Sequence, residues 1–410
     1  LNIALLPKQT RGETVTVCMK FKSGDEKNLF GKANLQPVAA AMLTRGTKTM
    51  TRSEIEDRMT ELKMAGSITN FTTTRKNLPA ALELVFDAMH NSIMPQDEFD
   101  QFKKQMQVMI ESMRDKPDAL AQNAITQHFN TYPKGDPRYE YSLDESLEQL
   151  NKLTVDQVRA FYKEFGGTSR GEISIVGDFD PKAVEKIIRD DYAKYVSKAH
   201  YAPVVTEYRP VKATRVVIDT PDKENAIIVA RSVFPINDTA PDAPALTVAN
   251  WILGGGTGLS NRLIERLRQK EGLSYGAGSH VRIPAKGDNG SFVFRAIVAP
   301  QNMLQAEASA RDVIAKAIKD GFTDQEVEEA KKGLLQAMQV ARSQDDVVAR
   351  SWNDKMENQR TWVFSKKQAE AISKLTTADV NAALRKYIKP DEITFVLAGD
   401  QKKAAQKKQD

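Results

Sequence analysis

The chain has 410 residues, which is too many for one ordinary hydrophobic core, so we expect at least two domains. Hydrophobic residues make up 41% and charged residues 28%, as in a typical globular protein, and the lack of an 18-residue apolar run argues against a membrane-spanning helix. The net charge of +5 is too small an excess to indicate a nucleic-acid-binding surface, and the single cysteine, Cys18, excludes an intramolecular disulfide.

The first half of the chain begins with predicted strands and continues with an apolar helix. Residues 1–7 and 14–22 are rich in apolar and β-branched side chains and predict strands, and residues 35–44 predict a helix. Cys18 falls in the second strand, where we expect a buried, unreactive thiol. Because Leu1 already belongs to a strand, we expect the chain to be a processed product or a piece of a longer protein.

Two stretches, residues 152–178 and 374–400, repeat one pattern at a constant offset of 222 residues. Thr154 and Thr376 each precede a predicted helix and are good N-caps, since a hydroxyl oxygen accepts a hydrogen bond from a free backbone N–H. Each helix leads into a short apolar strand that ends at Gly-Asp, a turn sequence. The repeated positions include Leu153 and Leu375, Val158 and Val380, Gly177 and Gly399, and Asp178 and Asp400.

The repeat predicts two homologous domains, over residues 1–200 and 210–400, joined by a linker near residues 198–205. The second half contains predicted elements like those of the first, namely strands over residues 214–219 and 225–233 and a helix over residues 243–253. Strands and long helices are segregated along each half, which is typical of an α+β fold. We therefore predict two α+β domains, each a largely antiparallel sheet with helices packed on one face.

The sequence contains no recognisable stand-alone catalytic motif. A helical zinc site needs two histidines one turn apart, but the four histidines are separated by 38, 72 and 80 residues. The glycine-rich residues 254–258 follow a helix rather than a strand, so they indicate the end of that helix and a new one capped by Ser260 rather than a phosphate loop. The histidines are His90, His128, His200 and His280.

The most unusual stretch, residues 258–276, predicts a helix that ends near Gly272 and enters a strand. Arg268 lies in the last helical turn, where a cation suits the helix dipole. Taken by themselves, Arg268 would be a helix-end charge and Tyr275 a strand aromatic. The apolar side of the helix consists of Leu259, Leu263, Ile264 and Leu267.

This stretch closely resembles the Arg/Tyr signature of insulinase/pitrilysin-type zinc peptidases. In that family the signature lies in a domain without zinc, and its arginine and tyrosine contact substrate near the scissile bond. Arg268 and Tyr275, seven residues apart, match those positions. The resemblance covers nearly the whole chain and is closest to the second half of long bacterial members, notably at residues 136–139, 176–180 and 222–226.

The first half resembles the family's zinc-bearing domain, but the zinc motif is degenerate. The family's helix reads His-x-x-Glu-His-Met-x-x-x-Gly-Thr, and residues 42–47 match its second part. The positions of the two histidines are taken by Pro37 and Ala41, and that of the catalytic glutamate by Ala40. Glu111 resembles the third ligand, but one carboxylate without imidazoles is a poor zinc site. The resemblance therefore implies a chain that binds no metal.

The family builds its enzyme from two such halves, which close like a clamshell around a chamber. The resemblance implies that this chain is the non-catalytic half, inactive alone, with zinc held by a partner that carries His-x-x-Glu-His. Arg268 and Tyr275 would then contact a peptide substrate or the oxyanion in trans. Such a half can be part of the same polypeptide or a separate subunit of a heterodimer, and a bacterial periplasmic location is implied, with the cytoplasm as the alternative. Two other hypotheses stay open: a structural or scaffolding relative with no role in peptide hydrolysis, and an independent enzyme with an unrecognised site.

Overall fold

The computed structural model describes residues 1–256 and 261–406 and contains two five-stranded sheets within them. The first sheet consists of β1 (Asn2–Pro7), β2 (Thr14–Phe21), β3 (Ala65–Ser67), β4 (Asn70–Thr74) and β5 (Gly171–Gly177). The second consists of β6 (Arg215–Asp219), β7 (Ala226–Pro235), β8 (Ser274–Arg282), β9 (Asn289–Val298) and β10 (Thr394–Gly399). Strands β1, β2, β5, β6, β7 and β10 form where the sequence predicts them, with ends shifted by one or two residues, and β8 begins where a strand was expected to start. Strands β3, β4 and β9 were not predicted.

The two sheets have the same topology. The strand orders are β1-β5-β2-β4-β3 and β6-β10-β7-β9-β8. In each sheet the outer pair, β1 with β5 or β6 with β10, is parallel, and the other neighbours are antiparallel. The prediction of an α+β fold with largely antiparallel sheets is confirmed. The domain limits at residues 200 and 210 stay a prediction, although residues 195–214 contain no helix or strand.

Eight helices precede residue 200 and eight follow it among the described residues. The first eight are α1 (Leu35–Met42), α2 (Arg52–Glu61), α3 (Leu78–Asn91), α4 (Gln96–Met113), α5 (Pro117–His128), α6 (Leu143–Lys152), α7 (Val155–Phe165) and α8 (Pro181–Asp190). The others are α9 (Ala243–Asn250), α10 (Arg262–Ile264), α11 (Met303–Asp320), α12 (Asp324–Ala341), α13 (Asp345–Glu357), α14 (Trp362–Lys374), α15 (Thr377–Tyr387) and α16 (Gln401–Gln406). Two π-helical segments, Trp251–Gly255 and Glu265–Lys270, continue α9 and α10. Of the predicted residues at this junction, Gly258, Leu259 and Ser260 lie outside the described residues. None of the helices in the described part is long and apolar enough to cross a membrane.

Each sheet packs one face against the long helices of its own half. In the first half, α1, α3, α4, α7 and α8 contribute buried side chains such as Met42, Val85 and Phe161 to one core. In the second half, α9, α11, α12 and α15 form the corresponding core, with Leu246 and Val380 fully buried. These apolar faces remove most of the side-chain area from water, which is the main favourable contribution to folding.

A helix from the other half packs on the reverse face of each sheet. Helix α13 packs on β2 and β5, where Cys18 and Val176 meet Ala349. Helix α5 packs on β7 and β10, where Ile125 meets Val229 and Val396. This reciprocal exchange of helices explains why β5 and β10 are buried along their whole length.

A buried polar link fixes α13 to the first sheet. The Ser174 hydroxyl donates to Asn353 Oδ1 at 2.5 Å, and Asn353 Nδ2 donates to the Cys18 carbonyl at 3.1 Å. Because a buried amide without hydrogen bonds costs free energy, this pair favours one packed position of α13 over others. Burial raises the pKa of the Cys18 thiol to about 11, which fits an unreactive cysteine.

Loss of either of the two repeated N-caps, Thr154 or Thr376, is predicted to lower the unfolding free energy by a similar amount. Thr154 and Thr376 each accept a bond from the backbone N–H three residues on, as parts of complete capping boxes. Replacing either threonine by alanine leaves that N–H unpaired and should cost about 1 kcal/mol of unfolding free energy, measured by urea denaturation. Thr60→Ala, in the exposed part of α2, is the control and should be near neutral. Equal effects at Thr60 and the caps would contradict the prediction.

Candidate functional site

The Arg/Tyr stretch begins on a buried helical support. Asn261 Oδ1 accepts from the backbone N–H of Ile264 at 2.9 Å and so caps α10. Leu263 and Leu267 are fully buried in the core of the second half. Two buried leucines four residues apart hold one side of this helical segment against the sheet, so the opposite side faces outward.

The helical segment turns into β8 through a fixed junction. Gly272 has φ 60°, a left-handed conformation that glycine adopts at little cost, and the N–H of Leu273 donates to Leu267 O at 2.8 Å. The Glu271 carboxylate accepts from Ser309 Oγ of α11 at 2.6 Å and from Arg266. Glu271 therefore ties the end of the helix to α11 and sets the start of β8. The role of Glu271 is not predictable from the sequence, because nothing local distinguishes this residue from a surface charge.

Arg268 and Tyr275 flank this junction, and both are exposed. Tyr275 is 66% exposed and lies at a register irregularity between Ser274 and Gly276, on the edge strand of the sheet. Within residues 1–256 and 261–406, no hydrogen bond or ion pair engages the side chain of Arg268 or Tyr275, so the structure does not join the two to each other. Both polar groups are therefore available to a molecule outside this chain. Their role in catalysis stays a prediction.

The degenerate zinc-motif positions lie on α1. Pro37 and Ala40 are exposed and Ala41 is partly buried. Pro37 and Ala41 line a cavity of about 550 Å³, whose lining also includes polar side chains such as Asn34 and Glu140. The side chains at the three zinc-motif positions themselves offer no nitrogen or oxygen ligand, so these positions do not fit zinc.

Glu111, the remnant third-ligand position, is half-exposed near the end of α4 and forms a 3.4 Å ion pair with Arg114. Among the described residues, no group of three or more histidine, cysteine, aspartate or glutamate side chains is placed to hold a metal ion. Glu111 therefore behaves as a surface charge rather than as part of a ligand set.

The four histidines lie in four separate places. His90 stacks on Phe86 with ring centroids 5.3 Å apart. His128 Nε2 lies 2.9 Å from the backbone oxygen of Lys212, and His200 Nδ1 lies 2.9 Å from an Asp25 carboxylate oxygen. His280 is exposed on β8. No two of them approach as zinc ligands would.

Comparison with known proteins places this geometry among inactive peptidase-like domains. Residues 152–334 match a family model described as the peptidase M16 inactive domain. An uncharacterized zinc protease of Mycobacterium bovis, Mb2805c, is 24% identical over 299 residues, 70% of this chain. The match spans 66% of that relative, just under two thirds of its length. The Helicobacter pylori protein named non-peptidase homolog YmxG is 20% identical over 404 residues, which cover 94% of this chain and 89% of YmxG.

A solved structure shares the fold over almost the whole chain. The peptidase M16 inactive domain from Pseudomonas fluorescens superposes with a TM-score of 0.80 at 20% sequence identity, covering 97% of this chain and 94% of that one. The predicted relationship to insulinase/pitrilysin-type peptidases is thereby confirmed, and an inactive M16 domain together with the apolar α1 site is consistent with a chain that holds no zinc.

Proposed function

Because this chain is related to the insulinase/pitrilysin-type (M16) peptidases and carries their inactive domain, we propose that it is the non-catalytic half of a two-part zinc peptidase. The partner half would hold the zinc and its general base on an intact His-x-x-Glu-His helix. This chain would close the chamber and contact the peptide substrate. The observation that carries the proposal is the exposure of Arg268 and Tyr275 on a rigid junction without partners in the described residues.

The chemistry of the two side chains suits this role. A tyrosine hydroxyl can donate a hydrogen bond to the substrate carbonyl oxygen as negative charge develops on it, an interaction that is stronger in the transition state than in the ground state. A guanidinium group can donate several bonds in a fixed plane, so Arg268 would hold the substrate backbone or orient Tyr275. The peptide itself would add as a strand to a sheet edge of the partner half.

A second candidate function is a scaffolding role without peptide hydrolysis. The observation that favours it is the match to a protein named a non-peptidase homolog over nearly the whole of both chains. In that case the Arg268 and Tyr275 side chains would be incidental surface groups. The two functions differ in one measurable property, which is cleavage of peptides by the complex with a zinc-bearing partner.

The proposal is tested by co-purification with an M16 chain from the same source that carries His-x-x-Glu-His. We expect a complex of one copy of each by light scattering, about one zinc per complex by elemental analysis, and peptide cleavage by the complex only. The isolated chain should contain close to no zinc after dialysis. One zinc per isolated chain would overturn the proposal, and a stable complex without peptide cleavage would favour the scaffolding role.

We also propose a bacterial periplasmic location. Fractionation of the source cells, followed by immunodetection of this chain, tests the location. Recovery with cytoplasmic markers would contradict it.

A further inference from the structure

The reverse face of the second sheet is only partly covered by α5. This helix packs on β6, β7 and β10, reaches β9 through the ion pair of Asp118 with Arg295, and leaves the edge strand β8 largely open. A cavity of about 460 Å³ lies over them, lined by residues 276–280 of β8 and by Val293, Arg295 and Ile297 of β9. Gly276 and Gly278 pair with Ile297 and Arg295. Since paired residues share a face, both glycines leave the floor of this cavity without side chains.

A cationic residue without an ion-pair partner among the described residues lies on the same face of the sheet as this cavity. Arg231 of β7 pairs with Val293, so it points to the same face, and its guanidinium carbon lies 4.8 Å from the ring centroid of Phe129 at the end of α5. Its Nε is buried without a hydrogen-bond partner, and no ion pair engages Arg231 within residues 1–256 and 261–406. Burial, together with the charge of Arg282, lowers the pKa of Arg231. A buried charge of this kind is costly unless an anion approaches it.

Three further basic side chains lie on the same face. His280 pairs with Val293 and Arg282 with Ser291, and both are exposed without a bonded partner in the described part of the chain. Arg295 forms a 2.7 Å ion pair with Asp118. We name Arg231, His280, Arg282 and Arg295 the cationic face.

The acidic groups near the cationic face leave most of its charge unbalanced. Glu140 acts on Arg231 through space, but its carboxylate is exposed and forms no ion pair among the described residues. Asp118 is paired with Arg295. Arg231 and Arg282 therefore remain two positive charges that repel each other until a ligand neutralises them.

We propose that the cationic face binds acidic side chains of an extended peptide. The assignment of this peptide as substrate rests on the function proposed above, whereas its binding does not. An extended ligand fits because β8 is an edge strand whose face is lined by glycines. An acidic ligand fits because neither Arg231 nor Arg282 forms an ion pair within the described residues. Along β8, His280 and Arg282 lie five and seven residues beyond Tyr275, which is roughly 17 and 23 Å at about 3.3 Å per residue. Acidic residues five to seven positions from the scissile bond would therefore favour cleavage.

The test measures binding to this chain alone, without a partner or turnover. A fluorescent, extended ten-residue peptide with glutamates at two alternate positions is titrated with the protein, and anisotropy is recorded at low salt. Glutamine and lysine versions of the same peptide serve as ligand controls. We expect saturable binding of the glutamate peptide that weakens as salt is raised, and at least tenfold weaker binding of the other two.

Matched protein variants locate the site. Because the Arg282 side chain is exposed, Arg282→Gln should leave the fold unchanged and weaken peptide binding about tenfold. Arg231→Gln should weaken peptide binding to the same extent. Arg189→Gln removes the same charge from a remote helix, α8, and should bind like the wild type. Arg282→Lys should restore part of the affinity.

Equal binding of the lysine peptide, or unchanged binding in Arg282→Gln, would overturn the proposal. Neither result bears on whether Arg268 and Tyr275 act in an assembled peptidase. Conversely, binding lost in Arg282→Gln with no cleavage by any complex would support the cationic face and contradict the peptidase role.

Discussion

In the assembled peptidase, replacing Tyr275 by phenylalanine is expected to lower turnover about 100-fold with little change in KM. The hydroxyl is expected to bond an oxyanion that exists only in the transition state, so its loss should fall on kcat rather than on substrate binding. The exposed position of Tyr275 at the start of an edge strand makes this contact geometrically open. Initial rates with a quenched fluorescent peptide over a range of concentrations measure both constants.

The companion substitution Arg268→Ala separates two possible roles for the arginine. If Arg268 holds the substrate backbone, KM should rise, whereas if it orients Tyr275, kcat should fall and the double variant should be no slower than Tyr275→Phe. Tyr208→Phe, in the segment 195–214 without helix or strand, is the control for loss of a tyrosine hydroxyl and should have wild-type kinetics. Wild-type turnover in both Arg268→Ala and Tyr275→Phe would show that the catalytic assignment is wrong.

The repeat made most of the fold predictable. Similar patterns at an offset of 222 residues indicate that the two halves use the same local structures, and β5 and β10 indeed occupy the same place in their sheets. The capping threonines mark helix starts because a hydroxyl-bearing side chain satisfies a local need of the backbone. Such signals depend on residues within a few positions of each other, which is why they can be read from one sequence.

The exchange of α5 and α13 between the halves could not be predicted in the same way. The apolar runs in β5 and β10 indicate strands covered on both faces, but they do not say which helix provides the second cover. That choice depends on contacts such as Asn353 with Ser174, which are 179 residues apart. The π-helical form of residues Glu265–Lys270 was not predicted either.

The same distinction, between local signals and groups that the fold brings together, applies to the candidate site. Arg268 and Tyr275 could be proposed from a contiguous motif, whereas the cationic face is assembled from three strands and was missed. One signal for it was present: Arg231 is the one charged residue of a strand, residues 226–235, that is apolar apart from Ser232. A charge in such a strand needs a partner or a function, since burial penalises it.

Replacing Glu307 by leucine should destabilise the second half by about 3 kcal/mol at pH 7. The Glu307 carboxylate of α11 is buried and accepts bonds from Arg215 Nε and Nη2 of β6 at 2.7 to 3.0 Å and from Arg311 Nε and Nη2 at 2.9 to 3.0 Å. Its removal leaves two guanidinium groups without an anion and releases β6, the edge strand, from α11. Both arginines are more than a third exposed and regain water, which keeps the loss at the low end for a buried ion pair.

The same substitution predicts a change in the pH dependence of stability. Burial raises the pKa of Glu307, but the bonds from Arg215 and Arg311 outweigh it, so that the pKa is lowered. The folded pKa therefore lies below the unfolded value of about 4.3, and the stabilisation is complete above that pH and is lost as pH falls through the folded pKa. Urea denaturation should show the wild type and Glu307→Leu converging below about pH 4 and differing most near neutrality.

Glu185→Leu is the matched control for the loss of a carboxylate. Glu185 accepts from Arg189 at 2.6 Å on the exposed surface of α8. Because exposed pairs of this kind contribute little, its replacement should change unfolding free energy by less than about 0.5 kcal/mol at any pH. A loss at Glu307 as small as at Glu185 would contradict the prediction. A loss that persists undiminished at acid pH would mean that packing, rather than the charge of Glu307, joins β6 to α11. Glu307→Gln separates the effect of packing from that of charge, since it keeps the shape of the side chain and removes only the charge.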